Sequence, residues 1–157
     1  MYIKLLGSYI NNMLTKSEEI SNELISYLTN LSIDQWNLKV SDEWTVKDII
    51  SHLIGWNIEA SKVLPAVWKT KETPWFLNTD DYEKFNRTYV EAHRQDFPQK
   101  VLREFIGSEE IFSKVIQEIG EDNLRKQIDK YYWVFDEGED SHYLEHLNQI
   151  KTVVEKY

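Results

Sequence analysis

Apolar residues recur at intervals of three and four in four separate segments of this chain, and this spacing is the strongest constraint on its fold. Residues spaced in this way lie on one face of an α-helix, so each segment predicts a helix that buries one side. The last segment shows the pattern clearly, with Tyr143, Leu147, Ile150, Val154 and Tyr157 on one face. The chain is therefore predicted to be all-α.

Helix-capping residues suggest where the first two helices begin. The first is predicted to start near Thr15 and the second near Thr45, because a threonine side chain can accept a hydrogen bond from a free backbone N–H at a helix start. The apolar stripe of the second helix continues to about Leu64. Pro65 lies either inside this helix or at its end.

The third apolar segment covers residues 80–119 and is interrupted by Phe97-Pro98, so it predicts one kinked helix or two stacked pieces. Gly120 is the predicted stop. The fourth helix is predicted to begin at Asp140 or Ser141.

Two long connections separate these helices. Residues 70–80 have the composition of a loop, and residues 121–140 form the second connection. Within it, residues 131–135 are strand-like in composition but have no partner strand, so they are predicted to be an ordered loop packed on the helices. Four amphipathic helices with two long connections predict a four-helix bundle with crossovers rather than a simple up-and-down arrangement.

A chain of 157 residues is the size of one domain. The bundle is assigned to residues 15–157, and residues 1–14 are predicted to be an arm or short helix. The polar pair Asn11 and Asn12 interrupts the apolar residues there, which argues against a signal peptide. No run of 18 apolar residues predicts a membrane span, so the expected location is the cytoplasm.

Charge and cysteine content exclude several classes of function. The 27 acids and 18 bases give a net charge of −9, which is unfavourable for binding nucleic-acid backbone or an anionic membrane surface. The chain has no cysteine, so it contains no disulfide, no thiolate metal site and no thiol nucleophile of its own. Neither nucleic acid nor a membrane is therefore an expected partner, and the high aromatic content makes a homodimer possible.

Histidine spacing indicates a candidate metal site. His142 and His146 are four residues apart on the last helix, so both imidazoles lie on one face and can converge on one ion. His52 lies among apolar residues of the second helix. Inward side chains on facing helices build the metal sites of helical bundles, and three neutral imidazoles leave a coordination position open. The alternative is that these are ordinary hydrogen-bonded or partly exposed histidines.

Four further side chains are candidates for the surroundings of these histidines: Asp48, Trp56, Asn86 and Gln149. Asp48 could orient the His52 ring, although an acid early in a helix is also favoured by the helix dipole. Trp56 could line a pocket or belong to the core. The two amides could reach the site or bond elsewhere.

Three stretches of the sequence resemble a known group of proteins. Residues 44–54, WTVKDIISHLI, and residues 140–150, DSHYLEHLNQI, resemble the second-helix and last-helix motifs of the DinB/YfiT-like superfamily. Phe85-Asn86-Arg87 with Arg94 resembles the third-helix pattern of its DfsB-like branch, although that branch often lacks the last-helix histidine pair present here. The resemblance extends from about Thr15 to the C-terminus.

The resemblance implies a four-helix bundle in up-down-down-up order, often dimeric. It also implies a divalent metal, commonly zinc or nickel, bound by His52, His142 and His146. Activities in the superfamily include thiol-dependent transfer and isomerisation, proposed hydrolysis, and self-protection against reactive compounds.

The expected function is therefore that of a metal-dependent enzyme that transfers a thiol to a small electrophile or hydrolyses it. Three neutral ligands leave the metal its full charge, which favours a lowered pKa of a thiol or water. Because the chain lacks cysteine, the thiol would be a cosubstrate. The alternatives are a non-catalytic protein that binds or sequesters a small molecule, with a structural metal or none, and an interaction module with ordinary histidines.

Overall fold

The computed structural model describes residues 16–157, and within them the chain is all-helical, as predicted, with eight α-helices and two short 3-10 helices. Within these residues, one isolated β-bridge pairs Lys39 with Thr45. Residues 1–14 and the predicted cap Thr15 lie outside the described residues. The α-helices are α1 Lys16–Thr29, α2 Ile33–Trp36, α3 Val46–Thr70, α4 Glu83–Ala92, α5 Pro98–Ile119, α6 Glu121–Arg125, α7 Ile128–Tyr131 and α8 His142–Val154.

Helix α3 begins where its capping residues predict, but it is longer than predicted. Thr45 accepts a hydrogen bond from the Asp48 backbone N–H, and the Asp48 carboxylate accepts one from the Thr45 N–H. The helix continues through Pro65 to Thr70. Pro65 is exposed, whereas Leu64 and Val67 are buried, so apolar burial on both sides of the proline holds the helical path.

The third apolar segment forms two helices, α4 and α5, which is one of the two predicted arrangements. Phe97 has an extended backbone and Pro98 occupies the first turn of α5. A residue before proline avoids the helical region, which explains the break. Gly120 ends α5 with a φ of 94°, as its position predicted.

The connection after α5 contains more helix than predicted. Residues 131–135 do not form a strand, in agreement with the prediction. Tyr131 ends α7 and Tyr132–Val134 is a 3-10 helix. The short helices α2, α6 and α7 were not predicted, because segments of four or five residues are too short to show a helical period.

Two apolar clusters stabilise the described helices. The first surrounds the early part of α3 and includes Leu24, Leu53, Phe105 and Leu147. The second surrounds the late part of α3 and includes Leu64, Leu124 and Tyr131. Helix α3 packs against α4 and α5, and α1 packs against α5 and α8. No helix within residues 16–157 is long and apolar enough to cross a membrane.

Candidate metal centre

Three histidine nitrogens converge at one point between α3 and α8. His142 Nε2 lies 3.0 Å from both His52 Nε2 and His146 Nε2, and the last two atoms are 3.3 Å apart. Two ligand nitrogens at tetrahedral positions around zinc lie about 3.3 Å apart, given Zn–N bonds of about 2.05 Å. The spacing of the three nitrogens therefore fits a single metal ion.

The helices explain how the three rings meet. His142 and His146 are separated by one turn of α8, so their rings lie one above the other. His52 lies on α3 beside Ile49 and Leu53, which belong to the first cluster. His52 and His146 are 4% and 8% exposed, whereas His142 is half-buried, so one of the three rings remains accessible.

Two side-chain amides hold the outer nitrogens of these rings. His52 Nδ1 lies 2.9 Å from Asn86 Oδ1, which also accepts a hydrogen bond from the Trp56 indole. His146 Nδ1 lies 2.8 Å from Gln149 Oε1, while the Gln149 amide nitrogen donates to Glu145. An indole N–H only donates and a carboxylate only accepts, so the orientation of both amides is determined.

These amide oxygens determine which histidine nitrogen carries the proton. Because Asn86 Oδ1 and Gln149 Oε1 are acceptors, the Nδ1 atoms of His52 and His146 are the donors. Both Nε2 atoms are then unprotonated, and their lone pairs face each other at 3.3 Å. His142 Nε2 lies 3.0 Å from each of them and has at most one proton to donate, so at least one lone pair lacks a donor. A cation among the three nitrogens would satisfy it.

Burial keeps the three rings neutral. Burial, and to a lesser extent repulsion from the neighbouring histidines, lowers the pKa of His52 from 6.5 to about 3 and that of His142 to about 4. The pKa of His146 is also lowered by burial, against the opposing effect of its bond to Gln149. Metal ligation requires neutral imidazole, so the site is in the correct protonation state at neutral pH.

A cavity of about 640 Å³ opens beside the cluster, and its lining includes His142. Trp56, predicted to line a pocket or belong to the core, is half-buried and forms part of the cavity wall. This volume lies within the range of small-molecule sites. The accessible histidine therefore faces a space in which a small ligand fits.

The remaining predicted residue, Asp48, takes the alternative role that its position suggested. Its carboxylate accepts hydrogen bonds from the Thr45 N–H and hydroxyl at the start of α3. Asn86 occupies the position beside the His52 ring instead. The structure thus brings Trp56, Asn86 and Gln149 to the histidines and places Asp48 in a helix cap.

Asp136 is a functional candidate that sequence analysis missed. Its carboxylate accepts hydrogen bonds from the backbone N–H groups of His142 and Tyr143, at 2.7 and 2.9 Å, and from the Ser141 hydroxyl. Ser141 itself caps α8 by accepting from the Leu144 N–H. Asp136 lies five residues before the cap, where a carboxylate in an acidic run gives no signal of this contact.

We expect Asp136→Ala to lower the free energy of unfolding by about 1–3 kcal/mol, because it leaves two backbone N–H groups at the start of α8 without their acceptor. Urea denaturation would measure the change. Asp140→Ala is the matched control, since Asp140 is exposed and is expected to change stability by less than about 0.5 kcal/mol. An equal loss in the two variants would contradict the role of Asp136.

A second group of metal-ligand type lies between α4 and α5. His93 Nε2 is 2.7 Å from Glu104, and Asp96 is close to both. Lys100 already provides a cation here, with its ammonium 2.9 Å from Asp96 and 3.6 Å from Glu104. His93 itself is buried and hydrogen-bonded.

Comparison of the chain with known protein families, curated proteins and solved structures finds no match.

Proposed function

We propose that this protein is a cytoplasmic metal-dependent enzyme of the DinB-like type, which transfers a thiol to a small electrophilic molecule or hydrolyses it. The observation that carries the proposal is the convergence of three neutral histidine nitrogens, two of them from buried rings, at 3.0–3.3 Å beside a cavity. Zinc and nickel are the proposed metals, because both accept imidazole ligands.

The directions of the helices support the up-down-down-up order within this proposal. The early parts of α3 and α5 share the first cluster and their late parts share the second, so these helices run in the same direction. Ser21, near the start of α1, and Tyr143, near the start of α8, both contact Glu109 in the middle of α5. The residues that follow them in α1 and α8 belong to the first cluster. Helices α1 and α8 therefore run opposite to α3.

The residues of the chain have distinct roles in the proposed site. His52, His142 and His146 would hold the ion, and Asn86 and Gln149 keep two of the rings in the required tautomer. When bound, a divalent metal supplies positive charge that lowers the pKa of a thiol or of water and polarises an electrophile. The aromatic wall of the cavity limits access of bulk water to the reacting molecule.

In the proposed transfer, the thiol sulfur forms a bond to the electrophilic carbon and the leaving group departs with the electron pair of the broken bond. The thiol proton passes to solvent. In hydrolysis, water takes the place of the thiol. The chain has no cysteine, so the sulfur comes from a cosubstrate.

An activity assay on zinc-loaded and nickel-loaded protein tests this proposal. Free cysteine with 1-chloro-2,4-dinitrobenzene reports thiol transfer, and 4-nitrophenyl acetate reports hydrolysis. We expect one of the two rates to exceed the uncatalysed rate, and to return to it in His146→Ala. Background rates in both assays for wild-type protein with bound metal would contradict catalysis and favour sequestration of a small molecule without turnover.

A further inference from the structure

A polar junction inside the cavity joins the four longest helices. It consists of Ser21 of α1, Asn57 of α3, Glu109 of α5 and Tyr143 of α8, which all line the cavity. Ser21, Asn57 and Tyr143 are buried, at 6%, 5% and 8% exposure, whereas Glu109 is half-buried. Glu109 is therefore the most exposed member of the junction.

Neutral groups hold the Glu109 carboxylate in place. The Asn57 amide donates to Oε1 at 2.6 Å, and the Ser21 hydroxyl donates to Oε2. The Tyr143 hydroxyl faces both Oε1 and the Asn57 carbonyl oxygen. A carboxylate has about four acceptor positions, so Glu109 keeps an acceptor position on Oε2 after these three contacts.

Glu109 has no cationic partner among residues 16–157, because every ion pair there involves other acids. A carboxylate at the cavity wall that is bound only by neutral donors can accept a further hydrogen bond from a ligand. A cationic donor would form the strongest such bond, because charge-assisted hydrogen bonds are about twice as strong as neutral ones.

The rest of the cavity also favours a positive charge. Besides Glu109, its described lining carries four acids and one base: Glu18, Glu110, Glu121, Asp136 and Lys114. Glu121 is ion-paired with Arg125, and Asp136 accepts hydrogen bonds at the start of α8. Several aromatic rings form its walls, among them Trp56, Phe76 and Trp133. Aromatic faces attract cations and pack against the apolar part of a ligand.

We infer that Glu109 recognises a positively charged amine on the small molecule that enters this cavity. The substrate class is then an amine with an apolar or aromatic body, whose ammonium group donates to the Glu109 carboxylate. The amine site extends the proposed function, since it assigns a substrate class to the same cavity. A purely structural junction would hold the four helices together without selecting the charge of a ligand.

A pair of probes of nearly equal shape tests the amine site. 2-Phenylethylamine is charged at neutral pH, whereas 2-phenylethanol is not. We expect wild-type protein at low salt to bind the amine at least about tenfold more tightly, because hydrogen bonds to charged groups are the stronger kind. Titration followed by NMR measures both dissociation constants. A ratio near one, or binding of neither probe at millimolar concentration, would overturn the inference.

Glu109→Gln preserves the shape of the side chain and removes its charge. In this variant we expect the preference for the amine to fall to a ratio near one, with unchanged affinity for the alcohol. Glu110→Gln is the matched control, because Glu110 is an exposed neighbour that lines the same cavity. In Glu110→Gln, the ratio of the two dissociation constants is expected to stay within about twofold of the wild-type ratio. A preference that persists in Glu109→Gln would overturn the assignment.

Two further measurements separate the possible failures. Amines also bind transition metals, so the ratio of the two dissociation constants is measured in metal-loaded protein and again with chelator, where no metal can favour the amine. Failure of the proposed enzyme would leave the chelator result intact. If Glu109→Gln does not fold, nuclear Overhauser contacts between the probe methylene next to nitrogen and the Tyr143 ring decide the location, and their absence in a saturated wild-type complex contradicts it.

Discussion

Substitution of His146 by alanine is expected to remove a bound transition metal from this protein. Wild-type protein purified without chelator should carry close to one equivalent, measured by plasma mass spectrometry. Loss of a residue that only orients a ligand lowers metal affinity about 10–100-fold, so loss of a ligand should lower it by more than about 100-fold. His146 contributes one of the three converging nitrogens.

His93→Ala is the matched control for His146→Ala. His93 is also buried and hydrogen-bonded, but it lies outside the three-histidine cluster. In the group that contains His93, Lys100 already provides the cation. The metal content of His93→Ala is expected to equal that of wild type. Equal metal content in all three proteins, or no uptake of zinc or nickel by wild type, would contradict the metal centre.

Gly55→Ala is expected to destabilise the protein by about 1–2 kcal/mol, although alanine is the better helix former. A Cβ atom on Gly55 would lie less than 3.0 Å from two atoms of the Tyr89 ring. Tyr89 belongs to α4, which also carries Asn86. Displacement of α4 would therefore also weaken the Asn86 contact to His52 and reduce metal affinity. Thermal and urea denaturation, with and without metal, would measure the two effects.

Gly107→Ala is expected to change the stability in the opposite direction to Gly55→Ala. Gly107 lies in α5, and a Cβ atom there would meet nothing within 4 Å. The substitution is expected to raise the free energy of unfolding by about 0.5–1 kcal/mol, through helix propensity alone. Similar stability changes in the two variants would show that contact with Tyr89 does not constrain Gly55.

Sequence analysis could predict the features that depend on residues close together in the chain. The spacing of His142 and His146 places both on one face of α8, and the apolar stripes predict the long helices. The sequence left open whether the helix continues past Pro65, because the local effect of proline is outweighed by burial of Leu64 and Val67 in the second cluster, which depends on distant residues.

The partners of the site depend on contacts between distant segments, which a single sequence does not show. Asn86 contacts His52, which is 34 residues away in the sequence, and Glu109 contacts Ser21, which is 88 residues away. Nothing in the local sequence distinguishes Glu109 or Asp136 from the other acids among the 27 in the chain. Their roles follow only from the packing of four helices.

The separation of the two apolar clusters has a consequence for how a ligand reaches the buried end of the cavity. Trp133 and Phe135 of the cavity wall pack on the second cluster, whereas His52 lies beside Leu53 in the first. Local opening of the second cluster would part the wall while the first cluster still holds the histidine in position. A ligand would thus enter and leave through local opening of the second cluster, while the first cluster keeps His52 in place.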